Sequence, residues 1–80
     1  MQGTNKSSGQ ATGASDLEFD LVSEMHALLK GNEALEHYIE DAKGAGDQDA
    51  ERCFRAICDQ NKENVQKLRG LLADRLKKAA

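Results

Sequence analysis

From residue 16 onward, apolar side chains return at alternating steps of four and three. Leu21, Met25, Leu28, Asn32, Leu35, Ile39 and Ala42 form one such series, and Asn32 is the polar exception within it. This is the repeat of a helix that buries one stripe, and it is sustained long enough to give a heptad seam. The series stops at Gly44-Ala-Gly46, where glycine supplies the left-handed conformation that closes a helix. A second series follows through Ala50, Phe54, Ile57, Asn61, Asn64 or Val65, Leu68, Leu72 and Arg75, ending in Lys77 and Lys78. The pattern predicts a helix over about 16–43, a turn over 44–46 and a helix over about 47–78.

Local signals agree with those bounds. Ser15 and Glu18 stand three apart at the start of the first series, the spacing of a capping box. Asp47 is placed to cap the second helix, with Asp49 and Glu51 favourable in its first turn. Residues 1–15 are small and polar apart from Met1, show no apolar period, and read as a disordered tail. Two helices joined by so short a turn must fold back antiparallel. The fold class is therefore all-α, an antiparallel helical hairpin.

Charge supports that pairing. The first helix opens with Asp16, Glu18, Asp20 and Glu24, and its antiparallel neighbour carries Lys67, Arg69, Arg75, Lys77 and Lys78. Exposed pairs of this kind contribute only about 0–1 kcal/mol each, so they select orientation more than they stabilise.

A single hairpin does not use all of the apolar surface. Val22 and Leu29 form a second strip on the first helix, and Cys53, Leu71, Cys58 and Leu76 flank the seam of the second. An arc that wide calls for more than one partner helix. Two hairpins packed as a symmetric four-helix bundle satisfy it, with Leu21, Met25, Leu28, Leu35, Ile39, Phe54, Ile57, Leu68 and Leu72 as the shared core. Within this seam Asn32, Asn61 and Asn64 predict a buried polar layer that fixes register. Gly31 and Gly70 interrupt the helices at about 1 kcal/mol apiece.

Composition narrows the functional classes. The chain has 80 residues, a net charge of −3, no proline and 4 % aromatics, which favours helix over sheet. Its cations are dispersed and lack supporting aromatics, so nucleic acid is not an expected partner. No apolar run reaches membrane-span length, and the N-terminus lacks the apolar core of a secretory signal, so a cytoplasmic location is expected. Cys53 and Cys58 lie about 140° apart on a helix and cannot pair with each other. Half-buried thiols in a reducing compartment are expected, with a disulfide between chains as the alternative. Neither cysteine has a histidine placed near it by sequence, and no phosphate loop or nucleophile motif is present, so hydrolase and thiol chemistry are set aside.

The stretch GNEALEHYIED, residues 31–41, gathers Glu33, Glu36, His37 and Glu40 at the spacing used by di-metal bundles. Helical geometry turns Glu36 about 60° from the seam, Glu33 and Glu40 to the edge of the apolar arc, and His37 and His26 toward water. Glu36 is therefore expected to point inward beside Leu29. The second helix has no histidine, so a metal site would draw on two copies of the first helix, using Glu33 and Glu36 with Glu40. Such a hard, carboxylate-rich set suits Mn²⁺, Ca²⁺ or Fe²⁺.

The run from Met25-His26 through Glu33, Glu36 and Tyr38, the Gly46-Asp47 turn, and Asn61 to Leu72 resembles the small ferritin-like helical hairpins. The encapsulated ferritins, whose hairpins associate to complete a four-helix bundle, are among them. The resemblance implies that fold and a metal-binding Glu at Glu33 or Glu36. The family's second-helix Glu-x-x-His motif falls on Val65 and Leu68, which are not ligands. The expected function is thus a non-catalytic interaction or scaffold module that self-associates, with itself or another protein as partner and no cofactor. The alternative is an iron- or manganese-binding bundle, ferroxidase-like at its extreme.

Overall fold

The computed structural model describes residues 16–79, which form two α-helices: α1, Asp16–Ala45, and α2, Gln48–Ala79. They pack against each other as a hairpin. Residues 1–15, including Ser15 of the expected capping box, lie outside the described residues.

The connection is shorter than the glycine pair suggested. Helix α1 runs on through Gly44 and Ala45, and only Gly46 takes a positive φ, 71°. Gly46 N–H donates to the Lys43 carbonyl at 3.1 Å, and Asp47 N–H donates to the Ala42 carbonyl at 3.0 Å. That crossed pair of bonds is a Schellman closure, with the left-handed residue between them. Asp47 then begins the next helix. Its Oδ1 accepts from the Ala50 N–H at 3.0 Å, and its backbone carbonyl accepts from the Glu51 N–H at 3.0 Å. One residue therefore ends α1 and caps α2, which leaves no slack between the arms.

The contact between the arms is narrow. Leu21, Asn32, Leu35, Ile39 and Ala42 are buried on α1, while Cys58 and Val65 are buried on α2. Met25, Leu28, Phe54, Leu68 and Leu72 are half-buried at its edges. The seam of α2 is rotated from the expected one. Ile57 stands 45 % exposed, and Cys58 occupies the inward position in its place. The reason is angular: the two residues lie about 100° apart, and Cys58, unlike Ile57, falls on the same side of the seam as Val65. No large side chain among the described residues is fully buried. Each helix meets only one neighbour, so the flanks of both apolar arcs remain open to solvent.

Polar surface follows short-range rules. Lys30–Glu33, Lys43–Glu40, Arg52–Asp49, Arg55–Glu51 and Lys78–Asp74 are ion pairs three or four residues apart on one helix. Lys78, expected to face the acidic start of α1 across the hairpin, bonds Asp74 at 3.0 Å instead. A partner one turn away on the same helix costs less side-chain entropy to reach.

Candidate functional site

The middle of the hairpin holds a polar contact between the helices. Asn32, one of the buried residues of α1, donates from Nδ2 to the Cys58 carbonyl at 3.2 Å. Its Oδ1 accepts from Asn61 Nδ2 at 2.9 Å. Both bonds cross from α1 to α2, so they hold one longitudinal register. A slip of one residue would break both bonds and leave a buried amide without partners. Gly31, next to Asn32, packs its backbone toward this pair: a Cβ there would meet Asn61 Nδ2 at 4.0 Å, ordinary contact rather than a clash.

Asn64 does not join the layer. Its Oδ1 accepts from Gln60 Nε2 at 3.2 Å on the exposed side of α2, and Val65 takes the buried position at 6 % exposure. Between these two seam candidates the chain buries the apolar one. The polar layer is a pair rather than a triad.

The carboxylates of residues 31–41 are dispersed. Glu33 bonds Lys30 at 3.2 Å, Glu40 pairs with Lys43 at 3.7 Å, and both stand in solvent. Glu36, expected inward, is exposed. Its position about 60° off the seam lies outside the wedge that a single neighbouring helix covers. Among the described residues no three His, Cys, Asp or Glu side chains are grouped so that they could hold a metal ion.

Both cysteines are free thiols, and they differ sharply in access. Cys53 is exposed, whereas Cys58 is buried.

The flanks left open by the narrow seam form two dissimilar faces. On one, Glu36, Ile39, Arg55, Asp59 and Lys62 line a shallow groove of about 230 Å³. Among the described residues Glu36 and Lys62 make no ion pair, although both edge this groove. On the other, Tyr38, Ala42, Ala50 and Phe54, with Asp41 and Asp47 at its rim, line a groove of about 290 Å³ near the turn. There the Tyr38 and Phe54 rings meet with centroids 5.7 Å apart and planes tilted by 52°. Farther from the turn on this second face, Glu24, Leu28, Asn64 and Lys67 line a third groove of about 280 Å³. The second apolar strip expected on α1, Val22 and Leu29, lies on the first face, and nothing in that expectation covers the exposed Tyr38 and Ile57 of the second. The available signal was Tyr38 itself, an aromatic about 100° from the seam on the side opposite Glu36.

No helix among the described residues is long and apolar enough to cross a membrane. Comparison of the chain with protein-family models, curated proteins and solved structures finds no match.

Proposed function

We propose that this chain is a non-catalytic helical-hairpin module that self-associates, two copies completing a four-helix bundle of ferritin-like form. One observation carries the reading. Seven large apolar side chains, Leu17, Val22, Leu29, Tyr38, Ile57, Leu71 and Leu76, stand between 45 % and 52 % exposed, while no large side chain among the described residues is fully buried. Side chains of this size each gain about 1.5–3 kcal/mol when buried completely. Roughly half of that remains unrealised at each of the seven positions. A second hairpin is the simplest body that covers one face of this surface, because an antiparallel helix pair already has the shape of half a bundle. The Asn32–Asn61 bonds support the same reading, since a register-fixed hairpin presents a constant face to its partner.

Self-association of this kind suits a scaffold or an interaction partner rather than a catalyst. The grooves are shallow and their polar side chains are turned toward solvent. Native mass spectrometry of the purified chain, alone and titrated anaerobically with ferrous iron or manganese, tests the reading. A metal-free dimer or larger closed assembly is expected. Uptake of metal in fixed ratio to subunits would replace it with a metal-binding bundle built from Glu33, Glu36 and Glu40. A chain that stays monomeric at about 100 μM, a concentration high enough to populate even weak contacts, would end the proposal.

A further inference from the structure

The two open faces are not equivalent, and steps of seven along each helix show how they differ. Residues seven apart stay within about 20° of one another, so each such series is one strip of the surface. On the face of the Glu36–Arg55 groove, α1 presents Val22, Leu29, Glu36 and Lys43. Its neighbour α2 presents Arg55, Lys62, Arg69 and Leu76 there. That strip of α2 places three cations in a row. On the face of the Tyr38–Phe54 groove, α1 presents Leu17, Glu24, Gly31 and Tyr38. Its neighbour presents Ala50, Ile57, Asn64 and Leu71 there, and the line meets a charge only at its far end, Lys78.

Interface centres are depleted in charge, because each buried ion must be stripped of water. Leu17, Tyr38, Ile57 and Leu71 are 48 %, 48 %, 45 % and 47 % exposed. A large side chain carries roughly 200 Å² of surface, so these four leave ~400 Å² open. Phe54, Leu28 and Leu68, partly exposed between them, add at most ~200 Å², so the face offers roughly 600 Å², short of the ~800 Å² per partner of a standard interface and in the range of a weaker one.

Charge selects the orientation of the occupant. Helix α1 carries eight acidic and two basic side chains, a net of −6 with histidine neutral. Helix α2 carries five acidic and eight basic ones, a net of +3. A second copy laid so that α1 meets α1 sets two helices of net −6 against each other. Laid so that α1 meets the partner's α2, it joins opposite signs, and Glu24 of one copy comes to the level of Lys67 of the other.

Deepening the self-association reading, on which it rests, we infer that the second copy docks on the Tyr38–Ile57–Leu71 face with each α1 against the other chain's α2. The twofold axis then runs along the bundle, both turns lie at the same end, and every neighbouring pair of helices is antiparallel. The Glu36–Arg55–Lys62 face remains outside, in water.

Two measurements test this. The dimer dissociation constant, read by native mass spectrometry or analytical ultracentrifugation, is expected to rise at least ~100-fold in Ile57→Lys and to stay within ~3-fold in Leu29→Lys, since only the first buries a charge in the contact. Survival of the dimer in Ile57→Lys, or its loss in Leu29→Lys, overturns the choice of face while leaving self-association standing. A monomeric parent chain defeats both readings together. For orientation, a spin label is placed by Gly44→Cys in a Cys53→Ser/Cys58→Ala chain, at a position with nothing within 4 Å to obstruct it. Pulsed electron–electron resonance is expected to give a separation below ~30 Å, set by helix axes 8–10 Å apart plus the label arms. A separation near ~45 Å, the length of an arm, means turns at opposite ends and overturns the orientation.

Discussion

Replacing Asn32 by alanine removes both bonds that tie the helices together at mid-length. Asn32 Nδ2 loses the Cys58 carbonyl at 3.2 Å, and Asn61 Nδ2 loses the Asn32 Oδ1 at 2.9 Å. A neutral intramolecular hydrogen bond contributes about 0.5–1.5 kcal/mol net, so two give roughly 1–3 kcal/mol. The groups left behind limit further loss. Asn61 is only half-buried and its amide can turn toward water, while the Cys58 carbonyl lies within α2, where the helix offers it a partner. The expected cost is therefore about 2 kcal/mol, or a Tm lower by roughly 8–16 °C for a domain of this size. Urea unfolding followed by helical circular dichroism measures it, at fixed protein concentration because self-association would make the midpoint concentration-dependent. Asn61→Ala and the double variant complete a cycle, with an expected coupling of about 1 kcal/mol for the shared bond. A loss under about 0.5 kcal/mol in Asn32→Ala, or strict additivity in the cycle, refutes the claim that this amide pair fixes the register.

The turn yields a matched pair of variants. Gly46→Ala, at φ 71°, is expected to cost about 1–2 kcal/mol, whereas Gly44→Ala, two residues earlier on the helix with open space around it, should stabilise by up to about 1 kcal/mol. Thermal melts of the two variants check the opposite signs. Asp47→Ala removes the acceptor of the Ala50 N–H and should cost about 1 kcal/mol, seen in the same assay with the greatest fraying at the start of α2. In a Cys53→Ser chain, the buried Cys58 thiol should react with a disulfide reagent only as fast as the hairpin opens. Reaction at the rate of a free thiol in the native state would contradict its burial.

Sequence and structure divide along the helix axis and around it. Along the axis, residue order sufficed. The four-three period, the Gly46 stop and the Asp47 start specify two helices and an antiparallel return, because these are local properties of dihedral preference and hydrogen-bond closure. The level of Asn32 with Asn61 follows from counting outward from that turn, since both arms rise 1.5 Å per residue. Around the axis, local pattern fixes only an arc. Where the arc of α2 holds Ile57 beside Cys58 and Asn64 beside Val65, the burial of one member and exposure of the other depend on where α1 crosses.

The same limit governs the site residues. Glu36 lies within the apolar arc by angle and yet faces water, because one neighbouring helix covers a wedge narrower than that arc. Glu33 and Glu40 found lysines one turn away, a choice open to any exposed carboxylate with a cation at that spacing. The sequence by itself determined two helices, their reversal and their length, through interactions that span a few residues. Tertiary packing decided which edge residues are core, which asparagines meet and which apolar side chains remain for a partner, because burial belongs to the pair of helices and not to either one.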